Sequence, residues 1–438
     1  MARRHVLIGS GPGAIAAAET IRSRDAQAEI VIVGAEPYGY YSRPGLAYYL
    51  ANEVPEKRLF PFGPQDFARL NAELLHERAV NIDRSAHRVT LQGGRELAYD
   101  RLLIATGSRA LPTKVPGAEL DGVVKLDDLD DARDLIRRSR SAKTAVVVGG
   151  GITALEIAEG LSSRRVHVHY FMRKGRYWSN VLSETESRLV EQGVSEGGVQ
   201  IHHFTELAQI VGQHGRVVGV ETGDGTRIPC DLVGIALGVR PQIELAEAAG
   251  LDCGRGILVD EHLRSSDADI FAAGDIAEVH DPVTDRRTLE VLWSSAVNKG
   301  RIAGLNMATD PARTYDTGTP LNVTRLAGFK ITIIGTVGSG KDSDRELPAR
   351  GESETWAELG EAMVVESHSG DTHIRLALGK STIAGAVIMG DQEISFPLHE
   401  IIGGRADISD ILASLQEPAA RVAEIVRDFW PGAKAHLA

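Results

Sequence analysis

The chain has 438 residues, 43% of them apolar and 25% charged, and its 60 acids against 48 lysines and arginines give a formal charge of −12. This is the balance of a soluble globular protein with room for about three ordinary domains. The acid excess disfavours nonspecific nucleic-acid binding, no apolar run is long enough to span a bilayer, and the two distant cysteines, Cys230 and Cys253, supply neither a disulfide framework nor a cysteine-based metal site. Met1–Arg4 is basic but leads straight into an apolar strand with no cleavable signal pattern, so the protein is expected to be cytoplasmic.

The first predicted strand, Val6–Ile8, enters the turn Gly9–Ser10–Gly11–Pro12–Gly13–Ala14, and an alanine-rich segment of helical composition, Ile15–Ile21, follows. Strand, tight turn and helix start make a phosphate cradle: glycines let the backbone approach a diphosphate, and the helix N-terminus offers unpaired N–H groups. Such turns also occur where nothing binds, so position has to add weight. A second apolar run, Ile30–Val33, ends at Glu36, whose carboxylate can accept from both ribose hydroxyls of an adenosine. Pro37–Leu50, rich in tyrosine and broken by Pro44 and Gly45, reads as a loop opening into a short helix. Its strong cation, Arg43, is either a counter-charge for a diphosphate or an ordinary surface arginine.

Ala79–Ile82, Arg88–Leu91 and Arg101–Ile104 read as short strands, the last running into Ala105–Thr106–Gly107–Ser108–Arg109 and a proline-marked exit at Leu111–Pro112. A small Thr–Gly pair there suits backbone passing close to something bulky. After a helical stretch, Asp128–Ser139, the opening plan recurs as strand Ala145–Val148, turn Gly149–Gly150–Gly151–Ile152–Thr153–Ala154 and helix Leu155–Leu161. Two such units mean two dinucleotide sites, or one site and a decayed copy. The next strand, Val166–Phe171, ends in Met172–Arg173–Lys174 with Arg176 beyond, rather than in an acid. Cations suit a 2′-phosphate and an acid suits a bare ribose, so the cluster favours NADPH over NADH unless it is merely a solvated loop.

Asp231–Ala236 with Gly238–Val239–Arg240–Pro241 repeats the strand and proline-stopped turn. Asp269–Ala273 then delivers Gly274 and Asp275 to a strand's carboxyl end, where an open α/β sheet binds its ligand. Asp275 is placed to hydrogen-bond a polyol chain or, alternatively, to cap the following helix, Leu292–Met307. His167 and His169 share a strand face and His202–His203 are adjacent, with nothing that places further ligands, so no metal site is expected. From about Thr319, strand-like runs at Lys330–Gly335, Ala362–Glu366, Ile374–Leu378 and Ile383–Met389 precede helices at Pro397–Ile402 and Ile408–Leu415. Val422, Ile425, Val426 and Phe429 mark a stripe on a final helix, expected as core or dimer contact, since a membrane-surface anchor wants more basic charge opposite.

Taken together and in order over Arg3–Met307, "GSGPGA" with Glu36, "LLIATGS", "VVVGGGITALEIA", "GIALGVRP" and "DIFAAGD" resemble the FAD/NAD(P)-dependent pyridine nucleotide-disulfide oxidoreductase superfamily. The resemblance implies an α/β fold with two Rossmann-like dinucleotide-binding domains, for FAD and NAD(P), plus a C-terminal α+β domain. The FAD domain would comprise residues 1–112 and 253–318, the NAD(P) domain 113–252 and the interface domain 319–438. FAD would be held by Gly9, Gly11, Pro12, Gly13, Ala14, Glu36, Arg43, Val80, Ala105, Thr106, Gly107, Arg109, Gly274 and Asp275, with Glu36 on the adenosine ribose and Asp275 on the ribityl chain. NADPH or NADH would be held by Gly149, Gly151, Ile152, Thr153, Arg173, Lys174 and Gly238. Glu156 resembles a glutamate that contacts the nicotinamide, against the plainer reading of a first-turn helix acid. Trp293 lies in "LWSSAV", which in relatives approaches the flavin, against the plainer reading of a buried core tryptophan.

Within the superfamily, "YYSRPGLAYYL" and "VLWSSAVNKGRIAGLNM" resemble the branch of rubredoxin and ferredoxin reductases and the flavin module of nitrite reductases. Pro44 stands where the coenzyme A disulfide reductases and related oxidases carry a redox cysteine, no cysteine pair follows Glu36, and Tyr48 stands where ferredoxin reductases often have lysine. His399 is not followed by proline, so the His-Pro acid of glutathione-reductase-type relatives is not recognisable. With two cysteines the chain cannot hold an iron–sulfur cluster of its own. The implied activity is an NAD(P)H oxidoreductase passing electrons through FAD to a small redox protein such as rubredoxin or ferredoxin, to a nitrite-reductase-type partner, or to a soluble oxidant. The alternatives are a slowly reduced binding switch of the apoptosis-inducing-factor kind and a quinone or oxygen reductase. A homodimer through the C-terminal domain is a further expectation.

Overall fold

Five parallel strands form the first sheet, in the spatial order Ile270–Ala272, Arg101–Ile104, Arg4–Ile8, Glu29–Gly34, Ala72–His76. Four of the five read as near-continuous apolar runs, as befits strands covered on both faces. Their neighbours on the two faces include the helix Pro12–Arg24 and the meander Ala79–Asp83, Arg88–Leu91, Glu96–Ala98. In the computed structural model the described residues are 2–282, 285–309, 313–338, 347–357, 362–417 and 421–437. A second all-parallel sheet runs Val199–His202, His167–Phe171, Thr144–Val148, Leu232–Ile235, Val123–Val124. In each sheet the strand before the glycine turn sits where chain order reverses, with its successor on one side and a much later strand on the other. That reversal opens a crevice at the strands' carboxyl ends.

Ile270–Ala272 enters the first sheet from beyond the whole second sheet, beside Arg101–Ile104. The chain therefore leaves the first sheet and returns to it, which carries Gly274 and Asp275 back to the rim near Gly9. Ser108–Ala110 and Val239–Pro241 pair antiparallel and tie the two crossings together. The helix Trp293–Ala308 lies tightly on Pro12–Arg24, because a side chain on Gly300 would clash with the Gly13 carbonyl and one on Gly304 with that of Ala17. The C-terminal sheet is antiparallel, in the order Leu321–Leu326, Phe329–Gly335, Ile383–Met389, Thr372–Leu378, Met363–Ser369. Helices Ser395–Gly403, Ser409–Leu415 and Val422–Leu437 accompany it. On the last helix Val422 and Val426 are fully buried and Ile425 and Phe429 pack against the same core, so this stripe is spent within its own unit.

Local patterns left some elements unread: the helices Pro64–Leu70 and Glu184–Glu196, the strand Ala72–His76 and the meander Leu207–Gln213, Arg216–Thr222, Arg227–Pro229. The Glu184–Glu196 helix did carry a signal, the capping box of Ser183 and Glu186. Both glycine-turn helices also begin earlier than their composition suggests, inside the turns, at Pro12 and Ile152. Among the described residues no helix is long and apolar enough to cross a membrane.

Candidate functional site

The helices that follow the glycine turns lack the caps that Leu129–Ser139 and Glu184–Glu196 receive. Pro12–Arg24 starts from N-cap Gly11 and Ile152–Ser162 from N-cap Gly151, with no capping side chain and no acid in the first turn. Leu129–Ser139 and Glu184–Glu196 are capped by Asp128 and Ser183, each with a full capping box and acids in the first turn. Open N–H groups without an acid beside them form a site for an anion. Room is reserved as well, since a Cβ built on Gly11 or Gly150 meets no heavy atom within 4 Å. Gly9 and Gly149 serve a different end: their φ values of +117° and +151° and the carbonyls of Ala105 and Ala236 beside them exclude a side chain.

A cavity of about 720 Å³ runs between the two turns, within the roughly 300–1,000 Å³ typical of small-molecule and cofactor sites. Its wall brings together Gly9, Gly11, Pro12, Gly13, Glu36, Arg43, Val80, Ala105, Thr106, Gly107, Arg109, Ile152, Thr153, Glu156, Gly274, Asp275 and Trp293. Gly151 and Gly238 line a smaller neighbouring cavity, to which Ile152 and Thr153 also contribute.

Four expected site residues stand in neither wall: Ala14, Gly149, Arg173 and Lys174. Ala14 is fully buried and packs its helix into the first core. Gly149 is spent on the close pass by Ala236. Arg173 is exposed and Lys174 half-buried just beyond the strand His167–Phe171. Arg176 is turned inward and bonds the carbonyls of Leu182 and Ser179, so the cationic cluster read in the sequence is smaller by one.

Glu36 is held on both oxygens, at 2.6 Å by the Tyr41 hydroxyl and at 2.5 Å by Arg43. Arg43 also donates to the Asp127 carbonyl at 2.6 Å, so it is neither an open counter-charge nor a surface residue. Glu156 lies beyond the first turn of its helix and faces the cavity, which removes the reading of a dipole-complementing acid. Burial pushes its carboxyl up to about 7, with Arg350 pulling the other way. Burial also raises Asp275 against the pull of Arg350 and Lys299. Asp275 does not cap the following helix, which starts from Leu292 with no side-chain cap. Trp293 is 52% exposed at the cavity mouth and donates to the Tyr40 hydroxyl at 3.2 Å, so it is not a core tryptophan.

Sequence reasoning missed Tyr48 as a wall residue, along with Asp127, Gln242, Asn322 and Arg350. Gln242 donates to the Thr106 carbonyl at 2.7 Å and accepts from its hydroxyl at 3.2 Å, fixing the loop after Arg101–Ile104. Asp127 adjoins a readable capping box, whereas Arg350 has no local pattern to announce it. Pro44 does line the cavity, and neither cysteine does. Burial pushes the Cys230 and Cys253 thiols up to about 12 and about 11, which keeps them protonated and unreactive near neutral pH. His169 and His202 bond each other at 2.9 Å and His203 meets Glu191 at 3.0 Å. Among the described residues no group of three or more His, Cys, Asp or Glu is arranged to hold a metal.

Comparison with known proteins bears on this geometry. The family model described as pyridine nucleotide-disulphide oxidoreductase matches residues 3–300. The chain is 30% identical over 351 residues to the ferredoxin–NAD(+) reductase component of the biphenyl dioxygenase system of Paraburkholderia xenovorans (strain LB400), covering 80% of this chain and 84% of that protein. It is 30% identical over 280 residues to a rubredoxin–NAD(+) reductase of Ectopseudomonas oleovorans, covering 63% and 72%. Among solved structures, the covalent putidaredoxin reductase–putidaredoxin complex matches with a TM-score of 0.84 and 25% identity, covering 99% of each chain.

Proposed function

The chain belongs to the pyridine nucleotide-disulphide oxidoreductase family, and from that premise we propose that it passes electrons from a reduced nicotinamide coenzyme, through FAD, to a small ferredoxin- or rubredoxin-type protein. One observation carries the reading: two glycine turns, each leading into an uncapped, acid-free helix N-terminus, open into a cavity system whose wall contains no thiol. Two diphosphates fit those termini, and electrons that reach a flavin there have no cysteine of this chain to go to. A bound flavin supplies the chemistry, accepting a hydride and releasing electrons one or two at a time.

The residues of the chain bind and orient. Gly11 and Gly13 bring backbone to the FAD diphosphate, Glu36 takes the adenosine ribose, Thr106, Gly107 and Asp275 take the ribityl side, and Gly151, Ile152, Thr153 and Gly238 take the coenzyme. Glu156 orients the nicotinamide, and exposed Trp293 marks the rim where an acceptor docks. In this reading residues 1–112 and 253–318 form the FAD domain, 113–252 the coenzyme domain and 319–438 an interface domain that pairs two copies. A cytoplasmic location accords with the separated, reduced thiols.

The coenzyme is NADH, for which relatives are named, or NADPH, for which Arg173 and Lys174 supply charge. Mixing FAD-loaded protein with each coenzyme under argon, then with a ferredoxin or rubredoxin, tests the whole reading. Fast bleaching of the flavin band and rapid re-oxidation by the added protein are expected. Absence of bleaching with either coenzyme overturns the proposal, and slow bleaching without turnover points to a binding switch instead. Reversing the charges of Arg173 and Lys174 is expected to raise KM for NADPH by about tenfold and to leave NADH unchanged, and an unchanged KM for NADPH removes the 2′-phosphate reading.

A further inference from the structure

Between the C-terminal strands Phe329–Gly335 and Met363–Ser369, the segment 347–353 crosses back to the cleft and is fastened there on several sides. The Pro348 carbonyl accepts from Val239 N–H at 3.4 Å, Gly351 N–H donates to the Val291 carbonyl at 3.0 Å, and the Glu352 carbonyl accepts from Val291 N–H at 2.9 Å. Asn322 holds the Gly351 carbonyl at 2.9 Å, and Glu352 accepts from both Ala349 N–H and the Trp178 indole. A Cβ on Gly351 would lie 3.2 Å from Ile152 Cδ1, so this backbone rests on the first residue of the uncapped helix Ile152–Ser162.

Arg350 projects from this fixed backbone into the cleft. Four arginines line the large cavity, namely Arg43, Arg78, Arg109 and Arg350, and of these Arg350 also lines the smaller cavity at Gly151 and Thr153. Its guanidinium is paired with Asp127. That partner can let it go: Asp127 keeps Ala110 N–H at 3.0 Å, with Arg43 and Lys125 each at 3.9 Å.

We propose that Arg350 is a positioning residue for the coenzyme: held at rest by Asp127, its guanidinium is the cation that meets the coenzyme diphosphate at the N-terminus of Ile152–Ser162. The inference rests on the coenzyme site proposed above and adds a ligand from a distant part of the chain. A guanidinium beside open helix N–H groups gives the planar, charge-assisted recognition that phosphate oxygens favour. Glu156 and Asp275, acids of the same cavity wall, also feel the Arg350 charge.

The test uses FAD-loaded enzyme, Arg350→Gln and Arg350→Lys, and two probes that split the coenzyme. ADP-ribose carries the diphosphate without nicotinamide, and 1-benzyl-1,4-dihydronicotinamide carries the hydride without diphosphate. R350Q is expected to weaken ADP-ribose binding in calorimetry by about tenfold and to slow flavin reduction by NADH by about as much, with the benzyl reductant within about twofold of the parent and part of the loss restored by R350K. ADP-ribose binding within about twofold of the parent overturns the proposal, as do equal losses with both reductants. A parent enzyme that is reduced by neither NADH nor NADPH overturns the functional reading itself, and this inference with it. Should R350Q fail to retain flavin, Asp127→Asn decides: freeing Arg350 is expected to tighten ADP-ribose by about threefold, and unchanged or weaker binding overturns the proposal.

Discussion

At the scale of single residues, burial decides which side chains can carry chemistry. A carboxylate on a solvated helix face has no reason to titrate near neutrality, yet Glu156 does because the cavity wall removes its water. Glu156→Gln is expected to slow flavin reduction by NADH by about tenfold while leaving ADP-ribose affinity within about twofold, as stopped-flow traces and calorimetry would show. His5 illustrates burial without function. It is fully buried on Arg4–Ile8 with neither ring nitrogen bonded, and burial pushes its imidazole down to about 4. The unfolded chain then binds a proton that the folded one refuses between about pH 6.5 and pH 4, so this residue's contribution is intact above the window and is lost as pH falls through it. Replacing His5 with leucine is expected to make the protein more stable than its parent by up to about 3 kcal/mol near pH 4, the gap closing above pH 7. Urea midpoints of the two proteins at each pH measure this difference, and the comparison cancels Glu156 and Glu159, whose raised pKa values run the opposite way.

At the scale of elements, the glycines around one helix do separate jobs. Gly11 has φ −80° and open space where its side chain would be, so Gly11→Ala is expected to fold with native circular dichroism and yet retain less than about a tenth of the flavin. Gly300, on the neighbouring helix Trp293–Ala308, touches the first turn of the same helix, where a methyl meets the Gly13 carbonyl. Gly300→Ala is therefore expected to cost about 3 kcal/mol in urea unfolding and to lose flavin only as a consequence of the displaced helix. An equal loss of stability in both variants would show that the turn is structural rather than a ligand cradle.

Over the whole molecule, the C-terminal unit is bound to the second sheet's unit by a buried ion pair. Arg375 bonds Glu186 at 2.9 Å and the carbonyls of Val337 and Val181 at 2.7 and 2.8 Å. Burial alone would raise the Glu186 carboxyl, but His373 and Arg375 beside it bring it below the usual carboxylate range. Arg375→Met, which strands that carboxylate, is expected to cost about 3–5 kcal/mol in chemical denaturation, and adding Glu186→Met should recover most of the loss. The glycine turns, their strands and helices, Glu36 and Asp275 could be read from the chain because each depends on neighbours a few residues away: periodicity, turn stereochemistry and an acid at a strand end. Which cations reach the site could not. Arg176 looked available and is taken by carbonyl groups, Arg43 stands in the wall bonded to Glu36, and Arg350, which looked like any loop arginine, stands in the wall paired with Asp127. Glycine spacing is written locally and so belonged to the sequence, while Arg350 and its partner Asp127 lie 223 residues apart, so tertiary structure alone decided that this cation reaches the cleft.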